Sequence, residues 1–215
     1  IQSHLRQAFV RWGLPLRIRT DHDRRLVAEG DYPFPMPFTL WLVGLGIQHE
    51  LILRVTQNGV VERSHRTWEA RMLDIDPGST LVLAQDYVNY ELWRMNAVLP
   101  SRSRHCHRRP PLLVYPEVCD PSRPYALADE LALFSLDRVH AYLAQGRWLR
   151  RTSAKGQFHF NAESYCVGTA YGRQIVVLTF DCATATFQVT PSQDNTRLLT
   201  FSPAWLSTSA ITGLF

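Results

Sequence analysis

Lysine is almost missing from this chain: of its 23 basic side chains, only Lys155 is not arginine. Planar arginine forks suit bidentate phosphate recognition, although a GC-rich coding sequence would give the same bias, and composition does not separate the two. Cysteine is scarce too. Cys106, Cys119, Cys166 and Cys182 show no CxxC spacing, so neither a zinc-finger framework nor a disulfide-stapled fold is indicated, and a reducing cytosol fits. In His105-Cys106-His107 neighbouring side chains diverge, and no second Cys/His pair stands at finger spacing. No apolar run spans a bilayer, since the longest, Phe38 to Ile47, is too short, and nothing resembles a secretory signal. These absences predict a soluble cytoplasmic protein with no membrane partner. The chain also begins at Ile1 rather than Met, as a fragment does, and it holds no internal repeat.

What is present is enough apolar material for real cores. With 215 residues, 46% of them hydrophobic, one large or two small domains can form, and the shifts in pattern favour two. A net charge of +4 and a pI near 9.0 suit a polyanionic partner.

Leu5, Ala8, Phe9 and Trp12 recur at helical spacing until Gly13 and Pro15 stop the helix. A short strand is predicted over Leu16 to Arg19, an extended proline-rich loop over Asp31 to Pro37, a buried helix over Phe38 to Leu45 and a strand over Gln48 to Val55. Asn58 is a good N-cap for a helix from about Val60 to Leu73, with Val61, Trp68 and Met72 inward and Glu62 in the first turn. A further helix over Leu81 to Asn96 is read as packing through Leu81, Ala84, Val88 and Trp93. Pro100 to Pro124, with Arg102, Arg104, Arg108 and Arg109, is an aperiodic basic linker. After a helix capped by Ser135 or Asp137, short strands at 148–152, 157–160, 164–167, 174–180, 186–189 and 197–201 suggest a small antiparallel barrel.

Two strings carry chemistry. Arg17-Ile18-Arg19-Thr20-Asp21 ends a predicted strand in a carboxylate, and Gln57-Asn58-Gly59-Val60-Val61-Glu62-Arg63-Ser64-His65-Arg66-Thr67 opens a helix with a second carboxylate among cations. In this order, with Trp12-Gly13-Leu14-Pro15 before them and Gly46-Ile47-Gln48-His49 between them, they resemble bacterial insertion-sequence transposases with a retroviral-integrase-type catalytic core, the Asp-Asp-Glu group.

The resemblance implies a partial α/β ribonuclease-H-like core over 1–76 with its first strands missing. A helix and basic Pro/Arg-rich linker would follow over 77–134, then a helix and a small SH3-like all-β barrel over 135–215. Arg123-Pro124-Tyr125, Gly146-Arg147-Trp148, Tyr165-Cys166-Val167-Gly168 and Phe180-Asp181 carry the likeness into that barrel.

By that resemblance Asp21 and Glu62 are the second and third carboxylates of a two-metal phosphoryl-transfer site holding Mg²⁺ or Mn²⁺. Arg63, His65 and Arg66 would face DNA phosphates beside it, and Arg147, Arg150, Arg151 and Lys155 would form a phosphate-contacting face at the barrel entrance. The partners implied are the element ends, the target DNA and a second copy of the chain; the setting is bacterial, with DNA integration, recombination and transposition as the processes. Two departures matter. Asp21-His22-Asp23 replaces the usual Asp-Asn-Gly, so Asp23 is an alternative ligand, and the first aspartate has no counterpart in this chain. Hence strand cleavage and transfer are not expected of these 215 residues. The alternative reading is a non-catalytic DNA-binding remnant or a regulator of a full-length transposase.

Glu69 competes with Glu62 as a carboxylate and reads instead as a pairing partner for Arg66. Trp68, Trp93 and Trp148 read as core residues rather than stacking platforms.

Overall fold

The computed structural model describes residues 1–21, 34–52, 59–72, 75–76, 78–194 and 196–214. In chain order the elements are α1 (Gln2–Trp12), β1 (Arg17–Thr20), α2 (Pro37–Gly44), β2 (Gln48–Leu51), α3 (Gly59–Met72), α4 (Leu81–Ala97) and α5 (Pro111–Val114). There follow α6 (Glu130–Leu133), α7 (Leu136–Leu143), β3 (Arg147–Arg151), β4 (Gln157–Phe160), β5 (Glu163–Cys166), β6 (Ile175–Asp181), β7 (Thr186–Pro191), β8 (Leu199–Phe201) and α8 (Thr208–Thr212). The fold is thus mixed α/β. Among the described residues no helix is long and apolar enough to cross a membrane.

The chain divides into two compact units, one built from residues 1, 3–15 and 52–125 and the other from 2, 16–51 and 126–215. In the second unit, β1 and β2 pair in parallel, Arg17 opposite Gln48 through Thr20 opposite Leu51. Parallel neighbours need a crossover, and α2 supplies it. Pro37 sits at the first helical position, where its missing N–H is harmless. The helix is apolar all round, so it can only be buried; Phe38, Thr39, Leu40, Trp41, Leu42 and Gly44 are.

Its cover comes from α7 and α8. The Trp41 indole donates to Glu130 Oε1 at 2.9 Å, and the Ser135 amide donates to the Gly44 carbonyl at 2.9 Å. A Cβ on Gly44 would lie 2.0 Å from the Phe134 ring, so the glycine permits this close approach. Residues far apart in sequence therefore share one core.

The strands predicted after residue 146 all form. They make an antiparallel sheet in the order β3-β6-β7-β8 and a separate β4-β5 hairpin. Asn161 and Ala162, both at positive φ, turn the hairpin. Among the described residues no ladder closes these strands into a barrel: the hairpin packs against the sheet through side chains. Phe34 joins Trp148, Phe160, Phe187 and Trp205 with ring centroids 4.8 to 6.2 Å apart. The residue came from a segment predicted to be loop, and it fills the centre of the β-rich core because large aromatic surface must leave water.

In the first unit, Phe9 of α1 is buried edge-on against Tyr125 at 5.7 Å. Gly13 ends the helix at φ 73, where a Cβ would strike Pro121 and the Arg123 carbonyl. The predicted facing of α4 needs correction. Leu81 is 85% and Trp93 50% exposed, whereas Glu91 is 2% exposed. Its carboxylate accepts from Arg71 at 2.6 Å and Arg94 at 2.7 Å. Burial opposes that charge, but the hydrogen bonds from Arg94 and then Arg71 outweigh it and hold the carboxyl below its ordinary range. Trp68 and Met72 are half-buried, and Trp148 is in the core as expected.

The 100–124 linker carries short helical turns at Arg104–Cys106, Pro111–Val114 and Pro116–Cys119. Cys106 points inward, while His105, His107 and the arginines at 102, 104, 108 and 109 are exposed and Arg123 is half-buried.

Candidate nucleic-acid interface

Asp21 follows β1 directly and is exposed. The strand end that presents it is fixed by His49 on β2. Thr20 Oγ1 lies 2.8 Å from His49 Nε2, Thr39 Oγ1 lies 2.9 Å from His49 Nδ1, and the Phe38 ring meets the imidazole edge-on at 5.3 Å. One imidazole thus ties both strands to the helix between them. Burial keeps it below its ordinary pKa, so it is neutral at neutral pH. The next carboxylate along β2, Glu50, is already engaged by Arg17 at 2.9 Å and Arg19 at 3.1 Å. Asp23 lies outside the described residues, as do Asn58 and the 53–55 end of the predicted strand.

Glu62 stands exposed in the first turn of α3, a placement the helix dipole favours. Arg63 curls back so that its Nε donates to the Gly59 carbonyl at 3.0 Å, while His65 and Arg66 are exposed. No ion pair joins Arg66 to Glu69 among the described residues. The far end of α3 is clamped to α4 by Arg71, through Glu91 and through a Tyr87 hydroxyl donated to the Arg71 carbonyl.

Asp21 belongs to one compact unit and Glu62 to the other. Among the described residues no three His, Cys, Asp or Glu side chains gather to hold a metal ion.

The β3 cations separate by the period of the strand. Arg147 and Arg151 are exposed on one face, about 13 Å apart at the usual rise. Arg150 is on the other face, half-buried, with its guanidinium 5.4 Å from the Phe160 centroid and Nη1 donating to the Leu149 carbonyl at 2.7 Å. Burial lowers its pKa from the ordinary arginine value. Since β3 is the outer strand of its sheet, Arg147 and Arg151 stand at an edge.

Lys155 is exposed on a turn whose Ser153 accepts from the Lys155 and Gln157 amides. Those two amides meet the Ser153 hydroxyl, while the Ser153 carbonyl accepts from the amide of Arg173, an exposed residue held at φ 61 in the turn before β6. Arg173 thus joins Lys155 at one end of the sheet, near Arg151, whose neighbour Thr152 donates its amide to the Gln174 carbonyl. Sequence reading missed Arg173, because only strand pairing brings residue 173 beside 153; its signal was a lone Gly-Arg turn.

Compared with protein-family models and with curated proteins, the chain matches none.

Proposed function

We propose that these residues are the carboxylate-bearing corner and the C-terminal DNA-binding module of a transposase of the integrase type, and that this chain binds DNA without cutting or joining it. On this reading the β1-α2-β2 unit is a remnant of a ribonuclease-H-like core and the β3–β8 region is an SH3-like module. The observation that carries it is the placement of Asp21: it directly follows the first strand of a parallel β-α-β unit, with Glu62 in the first turn of the next helix. That succession is the one the motif strings call for, and a parallel pair with a crossover helix is a restrictive arrangement.

DNA binding would rest on phosphate contacts from Arg147, Arg151, Lys155 and Arg173, with Arg63, His65 and Arg66 as a second cationic row. Such contacts give affinity without sequence choice and make binding fall steeply with salt. Catalysis would need a third carboxylate, which these residues do not supply.

The test is fluorescence anisotropy on duplex DNA across a salt series, together with a cleavage and strand-transfer assay in Mg²⁺ or Mn²⁺. Salt-sensitive, metal-independent binding with no strand cleavage is expected. Robust cleavage abolished by Asp21→Ala or Glu62→Ala would overturn the non-catalytic part, and absence of binding at low salt would overturn the rest.

A further inference from the structure

The first unit contains a cavity of about 380 Å³ that the DNA reading does not use. Trp12 and Arg11 line it from the end of α1, Leu92 and Asn96 from α4, and Pro111, Leu112, Tyr115 and Val118 from α5 and the turn after it. Its volume falls in the range of small-molecule sites, and its walls have the usual make-up of such sites, mostly apolar with few polar groups.

The polar groups decide the ligand class. Among the described residues Arg11 is the one charged side chain in the lining; its guanidinium lies 4.9 Å from the Trp12 centroid and is exposed. No carboxylate pairs with it among the described residues. Asn96 is partly engaged, its amide nitrogen donating to the Leu92 carbonyl at 2.8 Å. The exposed guanidinium can take a single carboxylate at the edge of the cavity, whereas a multiply charged ligand would be desolvated against Leu92, Leu112 and Val118 at great cost. Trp12, Tyr115 and Pro111 offer flat surfaces suited to a planar ring.

We propose that this cavity binds a small aromatic monocarboxylate, with the ring among Trp12, Tyr115 and Pro111 and the carboxylate on Arg11. The site shares no residue with the proposed DNA contacts, so either reading can fail without the other.

The probe is 2-naphthoate, measured by equilibrium dialysis against the full 215-residue chain, with neutral 2-naphthol as the uncharged counterpart. One saturable site of roughly 0.1 mM affinity is expected for a ligand of this size. Arg11→Gln, a change on an exposed helix position, should weaken naphthoate about tenfold and leave naphthol unchanged. Leu112→Trp, which fills the cavity, should remove both; Val118→Trp is a second filling variant, read in its place if circular dichroism shows the first misfolded. No saturable binding, equal loss of both ligands on Arg11→Gln, naphthol bound as well as naphthoate, or binding that survives a folded cavity-filling variant would each overturn the proposal.

Discussion

Single residues in this protein reveal their roles through the cost of burial. Glu91 is a carboxylate at a helix position where an apolar side chain is the ordinary choice, and it is tolerated because two guanidinium groups meet it. Truncating it removes both contacts, whereas truncating Arg94 leaves Arg71 in place. Glu91→Ala is therefore expected to lower the thermal midpoint of the first unit more than Arg94→Ala does, as followed by calorimetry.

His49 and His140 are governed by the same cost. Burial is the main influence on each, opposed at His140 by Asp137, and each stays below the ordinary 6.5 in the fold. Protonation thus favours the unfolded chain. Their contribution to stability is whole above pH 6.5 and is lost as pH falls through the lower folded values. Urea midpoints measured from pH 7.5 downward should decline, and His49→Gln should flatten that decline. A midpoint independent of pH across this window would refute the assignment.

At the scale of elements, β7 repeats in its burial what its sequence period declares, whereas α4 does not. β7 alternates between half-buried and buried along its length, and Phe187 on its inner face touches rings from Phe34, Trp148, Phe160, Phe180, Phe201 and Trp205. Phe187→Ala should cost about 3–5 kcal/mol in denaturant unfolding, since so many neighbours cannot all collapse into the void. In α2 the tight point is Gly44, and Gly44→Ala should cost about 1–3 kcal/mol by forcing the buried Phe134 ring aside.

On β3 the period of two makes a sharper distinction. Replacing Arg147 and Arg151 together by Gln is expected to reduce the slope of log affinity against log salt by about two, one phosphate each. Arg150→Gln should leave that slope alone and reduce stability, because its guanidinium stacks on Phe160 instead of facing solvent. Equal slopes for the two variants would show that strand period does not sort these cations.

At the scale of the molecule, the two compact units do not follow the linear order of the chain. Residues 16–51 share a unit with 126–215, and the apolar α2 helix takes its cover from Phe134, α7 and α8. Segment 1–99 produced alone would carry α2 without that cover. It is expected to show no cooperative unfolding transition and to bind a hydrophobic dye; a sharp two-state melt would contradict this account of α2.

The sequence alone determined the longer helices and the strands, because hydrophobic period, proline and glycine act locally, whereas the four-residue α5 and α6 went unread. It placed Glu62 in a first helical turn and Asp21 at a strand end, and it located every strand of the β-rich half. It did not reach the five-residue α8, too short to show a period. What only the tertiary structure decided were the partnerships between distant residues: Phe34 among the rings of the β-rich core, Arg173 beside Lys155, His49 between two threonines, and Glu91 enclosed by arginines. Those depend on which surfaces meet, and a buried charge or a loop aromatic is stable only where the facing element supplies its partner.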